Sequence, residues 1–206
     1  MALKTLVKIN SVNNLSDARY CAGMMVDQIG FSMNPDRKEY VSPELFKEIT
    51  GWIAGVKIVG EFEDMNADEI IKALPSYGLD LVQVNSLKVA SELCGYNQPI
   101  IFSVDVSKTD PRGLQGLLEE AAEYAKFILI DNSEEAVSED VLQIVSNCSD
   151  QLPIILGTGI SPKNVNEIVD RHHFKGIALK GSDEIKPGLK DYDQIADILE
   201  EIETEE

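Results

Sequence analysis

Short apolar runs alternate with amphipathic stretches along the whole chain, and this alternation limits its fold more than any other feature. Eight runs rich in β-branched and aromatic residues read as strands: Thr5–Asn10, Asp27–Ser32, Val56–Phe62, Leu79–Asn85, Pro99–Val104, Phe127–Asp131, Pro153–Gly157 and Gly176–Lys180. A helical stretch follows each one. The predicted helices run from Ser16 to Ala22, open at Ser42-Pro43, open at Asn66, and cover Leu87–Cys94 and Gly113–Tyr124. Three more run from Ser138 to Asn147, open at Ser161-Pro162, and open at Asp191. Ser42 is an N-cap with Pro43 at the first helical position, where a missing N–H costs nothing. Leu45, Ile49, Trp52 and Ile53 then recur at helical spacing, Asn66 and Glu69 have capping-box spacing, and Ile195, Ile198, Leu199 and Ile202 form one stripe.

Several strands are continuous apolar runs, such as Ile100-Ile101-Phe102 and Phe127-Ile128-Leu129-Ile130. Strands of that kind are buried on both faces, as in a parallel sheet covered by helices. Eight such units predict an α/β fold, a closed (β/α)8 TIM barrel, with an open doubly wound sheet as the alternative. At 206 residues the chain is near the lower length limit for a barrel, and no linker or repeat divides residues 1–206 into more than one domain.

The formal net charge is -18, from 18 Lys+Arg against 36 Asp+Glu. That balance argues against a protein that coats nucleic acid or an anionic membrane, both of which need a positive field. Asp191 to Glu206 holds eight acids and no base, which reads as a solvated last helix with a frayed end. Cys21, Cys94 and Cys148 are odd in number and form no Cys-x-x-Cys pair, which predicts reduced packing thiols and no zinc site. No apolar run approaches membrane-spanning length, and the first residues carry no apolar signal region. The expectation is a cytoplasmic monomer or homodimer without metal or cofactor.

In a barrel, chemistry sits where strands end and helices begin. Gly157-Thr158-Gly159 follows the seventh strand and Gly181-Ser182 the eighth, where glycines let backbone N–H groups approach a phosphate. These turns are candidate phosphate sites, and the alternative is that glycine merely permits a tight turn. Lys180 adds a charge there or is simply solvated. Asp131 ends a wholly apolar strand and is a candidate general acid or base, with a turn-capping role as the alternative. Asp105 has the same ambiguity. Lys8 lies inside the first strand, either facing a ligand or as half of a structural ion pair. His172 and His173 close the seventh helix, remote from these ends.

From Val7-Lys8-Ile9 onward the chain resembles the phosphoribosylanthranilate isomerase family. The resemblance continues through Leu15-x-Asp17-Ala18, Ile29-Gly30-Phe31, Tyr40-Val41-Ser42-Pro43, Val82-Gln83 and Ile128-Leu129-Ile130-Asp131. It ends with Ser161-Pro162-x-Asn164-Val165 and Pro187-Gly188-x-Lys190-Asp191. It implies a single-domain barrel of tryptophan biosynthesis that performs an Amadori rearrangement of N-(5'-phosphoribosyl)anthranilate without cofactor or metal. In that family a carboxylic acid opens the sugar ring and a thiolate removes the C2' proton. Carried over, the general acid falls on Asp131, Lys8 is retained, and the phosphate turns fall on Gly157-Thr158-Gly159 and Gly181-Ser182.

The chain also departs from the family pattern. The thiol position is Asn10, the histidine after strand four is Asn85, and the arginine before the Tyr-Val-Ser-Pro segment is Glu39. Asn132–Ser138 replaces a longer glycine-rich loop. An amide cannot act as a base near neutral pH. These departures predict a divergent member that binds a phosphorylated small molecule without running the family reaction. One alternative is a true isomerase with a variant base, for which Asp105 is a candidate. The other is a non-catalytic interaction protein, motivated by the acidic surface and the Met24-Met25 pair.

Overall fold

Eight parallel strands close on themselves in the computed structural model, each pairing with the next in sequence and the last with the first. The structure describes residues 2–133, 137–171, 173–181, 184–186, 189–190 and 192–204. The barrel strands are β1 (Leu6–Asn10), β2 (Gln28–Ser32), β3 (Lys57–Glu61), β4 (Leu81–Val84), β5 (Ile100–Asp105), β6 (Phe127–Asp131), β7 (Ile154–Leu156) and β8 (Gly176–Lys180). The helices are α1 (Leu15–Gly23), α2 (Pro43–Thr50), α3 (Ala67–Ala73), α4 (Leu87–Leu93), α5 (Pro111–Ala121), α6 (Glu139–Ser149), α7 (Val165–Arg171) and α8 (Asp193–Glu201). The expected (β/α)8 barrel is therefore the observed fold, and the seam is a five-residue register between β1 and β8, from Leu6↔Gly176 to Asn10↔Lys180.

Side-chain caps start three helices at the expected places. Ser42 accepts from the Leu45 N–H, Ser138 from the Val141 N–H, and Asn66 and Glu69 complete a reciprocal capping box. Helix α8 begins at Asp193 and not at Asp191, and three further helices differ from expectation. Helix α5 begins at Pro111, because Asp110 caps the Arg112 N–H. Helix α7 begins at Val165, because the Asn164 carboxamide folds back onto the Ser161 N–H at 2.7 Å and holds Ser161–Asn164 as a turn. Helix α2 ends at Thr50, and only half of the predicted stripe is turned inward: Ile49 is buried and Ile53 packs against the core. Trp52 is 69% exposed and Leu45 is exposed, whereas Phe46 and Ile49 are buried. Phe46 sets the face by packing edge-on against Phe31 and Tyr77, at 5.6 and 5.1 Å between ring centroids.

The larger core lies between the strands and the helices, and a smaller one plugs the barrel. The plug takes Val59, Leu81, Ile101, Leu129, Ile155 and Ala178, one residue from each of β3 to β8. From the first two strands it gains only the partly buried Leu6. They place Lys8 and Gln28 in the interior instead, both buried. Outside the barrel, Ala2–Leu3 pairs antiparallel with Glu203–Thr204, and Glu184–Lys186 with Leu189–Lys190. Cys21 and Cys148 are buried as expected, but Cys94 is exposed just past α4. No described helix is long and apolar enough to cross a membrane.

Candidate functional site

The C-terminal ends of the strands surround a cavity of about 800 Å³. Arg37, Glu63, Asp105, Lys108, Asp131 and Lys180 are among its lining residues. A smaller cavity of about 60 Å³ adjoins Glu39, Glu61 and Ser11 and shares Arg37, Glu63 and Lys180 with the first.

Lys8 forms the base of this mouth. Its side chain is fully buried, and its Nζ donates to Glu61 Oε1 at 2.7 Å and to the Asn10 carboxamide oxygen. Ser11 turns back into the same cluster. It adopts a left-handed φ of 54° and donates its N–H and hydroxyl to Glu61 Oε2 at 3.2 and 3.1 Å. Gly30 makes the room. A Cβ there would lie 1.9 Å from Glu61 Oε1 and 2.8 Å from Lys8 Nζ. Of the two roles open to Lys8, the structure shows the ion pair.

Each remaining cation at the rim also faces a protein carboxylate. Arg37 pairs with Asp64 and lies 3.7 Å from Glu63. Lys108 pairs with Asp105 at 2.8 Å, and Lys180 lies 3.8 Å from Glu39. Asn85 clasps Asp64, accepting from its N–H and donating to its carboxylate at 2.9 Å. That amide, ahead of the Arg37 guanidinium, holds the Asp64 carboxyl below its usual range. Partial burial pushes the Asp105 carboxyl up, but the Lys108 ammonium, the Ser107 hydroxyl and Ser133 outweigh it and hold the group well below the usual carboxylate range. Asp105 is thus a committed ion-pair partner and a weak base.

Glu63 differs from these. Burial and the neighbouring Glu61 carboxylate push its carboxyl up, with Asp131 adding to the effect, against opposing pulls from Gln83 and Arg37. Gln83 donates to Glu63 Oε1 at 3.1 Å. Asp131 stands at the end of β6 and accepts from the Asn132 N–H at 2.8 Å.

At the glycine turns the Gly157 N–H is committed to the Ile130 carbonyl at 2.7 Å, and a Cβ at Gly157 would lie 2.8 Å from that oxygen. Gly159 has a φ of 70° and open space where a side chain would stand. Thr158 lies between them, half-buried, and Gly181 follows β8. Ser182 and His172 lie outside the described residues. The ring of His173 meets Asp150, and the two residues precede the starts of β8 and β7 instead of following their C-terminal ends. No described group of three or more His, Cys, Asp or Glu side chains has the arrangement of a metal site.

The fold and the position of its mouth can now be set beside known proteins. A family model for N-(5'-phosphoribosyl)anthranilate (PRA) isomerase matches residues 7–201. The chain belongs to the phosphoribosylanthranilate isomerase family. An N-(5'-phosphoribosyl)anthranilate isomerase of Nitrosomonas eutropha is 30% identical over 203 residues, covering 94% of each chain. The solved structure of phosphoribosylanthranilate isomerase from Thermotoga maritima superposes with a TM-score of 0.80 at 24% identity, covering 96% of this chain and 98% of that one. A phosphoribosylanthranilate isomerase in complex with reduced 1-(o-carboxyphenylamino)-1-deoxyribulose 5-phosphate gives 0.77 at 24%, with the same coverage. These likenesses establish the fold.

The family pattern directs attention to Asp131, Asn10, Asn85 and Glu39. The structure puts all four at strand ends or in the adjoining loops, around one mouth. Sequence reasoning places Glu61 and Glu63 at a strand end, within Gly60–Asp64, but gives them no role, and it misses the spacing role of Gly30. A lone acid in the apolar run Ile58-Val59-Gly60-Glu61-Phe62, opposite in sign to Lys8, was the available signal.

Proposed function

We propose that this member of the phosphoribosylanthranilate isomerase family binds a phosphorylated small molecule at the barrel mouth and does not use the family's thiol chemistry. The observation that carries this reading is the Lys8–Asn10–Glu61 cluster. At the thiol position stands a carboxamide whose oxygen is held by a buried ammonium, itself neutralised by Glu61. A carboxamide neither takes up a proton near neutral pH nor attacks as a nucleophile. The rim supports the same reading. Glu39 stands where the family pattern has an arginine, and it faces Lys180 rather than leaving a cation for a substrate carboxylate.

A phosphate would rest on the turns after β7 and β8, with Thr158, Gly159 and Gly181 as its contacts. Support comes from the open face of Gly159 and from the phosphorylated ligand carried by the related protein. Lys8 is buried beneath this ligand and orders Asn10 from below.

Thermal unfolding with ribose 5-phosphate, glucose 6-phosphate and inorganic phosphate tests the reading. A ligand at 100 times its Kd adds about 2.7 kcal/mol. For a domain of this size that raises Tm by about 5–11 °C. Gly159→Asp, which puts a carboxylate on the phosphate turn, should abolish the rise. An unmoved Tm with every phosphorylated ligand at tens of millimolar would reject the reading.

A further inference from the structure

Glu63 is a carboxyl at the mouth that no part of the family pattern uses. It lines both cavities, so it faces the space a ligand would fill as well as the polar base below. Gln83 fixes one of its oxygens at 3.1 Å. Its side chain keeps one-third of its surface exposed (33%), which leaves it open to a ligand. Asp131 lines the same large cavity from β6. The charged groups around Glu63 are Glu61 from β3, Arg37 and Glu39 from the segment after β2, Asp131 from β6 and Lys180 from β8. Acids outnumber bases among them, and Arg37 is shared with Asp64. The other rim carboxyls with a shifted titration, Asp64 and Asp105, are both held low by partners. Glu63 alone among these is raised toward neutrality, where a proton-transfer group works best.

We infer that Glu63 and Asp131 form an acid–base pair acting on a phosphorylated aldose, and that the reaction is aldose–ketose isomerisation of a simple sugar phosphate. The inference rests on the phospho-ligand reading above and names its substrate class. A sugar without an aromatic acid fits a rim in which Arg37 and Lys180 are already faced by protein carboxylates.

The step balances within the substrate and the two side chains. The Asp131 carboxylate takes the C2 proton, the C2–H electron pair forms the C1=C2 bond, and the carbonyl π pair moves to O1, which takes a proton from the Glu63 carboxyl. The resulting enediol loses its O2 proton to Glu63, forming the C2 carbonyl, and C1 takes the proton back from Asp131. No oxidant, metal or second substrate enters.

The test is deuterium exchange followed by proton NMR. The protein is incubated in D2O with ribose 5-phosphate, and with glucose 6-phosphate in parallel, while Tm reports binding. We expect deuterium at C1 or C2 of one sugar, with the rate falling at high pH as Glu63 loses its proton. Glu63→Gln and Asp131→Asn should each lower the rate about 10²-fold or more, with the ligand-induced Tm shift retained. Glu63→Asp should keep part of the rate and its pH limb, which a purely structural role would not predict. Exchange that survives Glu63→Gln overturns the inference. A Tm shift without exchange in the unmutated protein overturns it and leaves the phospho-ligand reading standing. Absence of both rejects the two together.

Discussion

Replacing Glu61 with leucine strands the Lys8 ammonium in the barrel. Lys8 is 0% and Glu61 6% exposed on the side chain, so solvent screens neither charge. The Asn10 carboxamide oxygen would remain as the main acceptor near Lys8. Removing one partner of a buried pair costs about 3–5 kcal/mol. In a domain of this length each kcal/mol moves Tm by about 2–4 °C, so the variant should melt about 6–20 °C lower. Lys8→Met should cost less, because Glu61 keeps the Ser11 N–H and hydroxyl as donors. The double variant Lys8→Met/Glu61→Leu removes both charges and should be no less stable than the milder single variant. Urea unfolding of the four proteins gives the coupling directly. If the two single losses simply add, within about 0.5 kcal/mol, the two side chains do not depend on each other and the account of the barrel base is wrong.

Other perturbations probe neighbouring parts of the argument. Gly30→Ala should destabilise by about 1–3 kcal/mol, because its methyl would occupy the place of Glu61 Oε1, and the loss should shrink in the double variant without the pair. Asp105 has a folded-state pKa below its unfolded value, so its contribution is present above about pH 4 and is lost as pH falls through the folded value. Asp105→Asn should therefore lower the urea midpoint at pH 7, with a smaller difference at pH 3. Asn10→Cys puts a thiol beside the Lys8 ammonium, which favours the thiolate. Turnover of N-(5'-phosphoribosyl)anthranilate should rise by about 10²–10⁴-fold over the unmutated protein if the mouth still accepts that substrate.

The fold was legible because each strand–helix unit carries its own signals. Apolar runs mark the strands, and Ser42, Asn66 and Ser138 mark helix starts that the structure reproduces. The α2 face was legible only in part: Ile49 and Ile53 turn inward as expected, but Leu45 and Trp52 have the right spacing and stay exposed, while Phe46 finds Phe31 and Tyr77. Partners far apart in sequence decided the outcome. The same holds at the site. Asp131 and Lys8 stand out locally, as charges on apolar strands. The pairing of Lys8 with Glu61 spans 53 positions and needs barrel closure to appear. The distinction between Asp105 and Glu63 is likewise invisible in sequence. One carboxylate meets an ammonium three residues on, and the other meets Glu61 two residues back and Asp131 from another strand end.

The gap left by one missing methyl at Gly30 has an evolutionary consequence. An apolar trio at positions 8, 30 and 61 would fill the same space without charges. Reaching it one substitution at a time means passing through a lone buried charge or a displaced carboxylate. Each such intermediate gives up a sizeable part of the 5–15 kcal/mol that typically keeps a domain folded, an approximate range. The three positions are therefore expected to change together or not at all, and a descendant lineage would keep this charged floor even if the chemistry above it drifted.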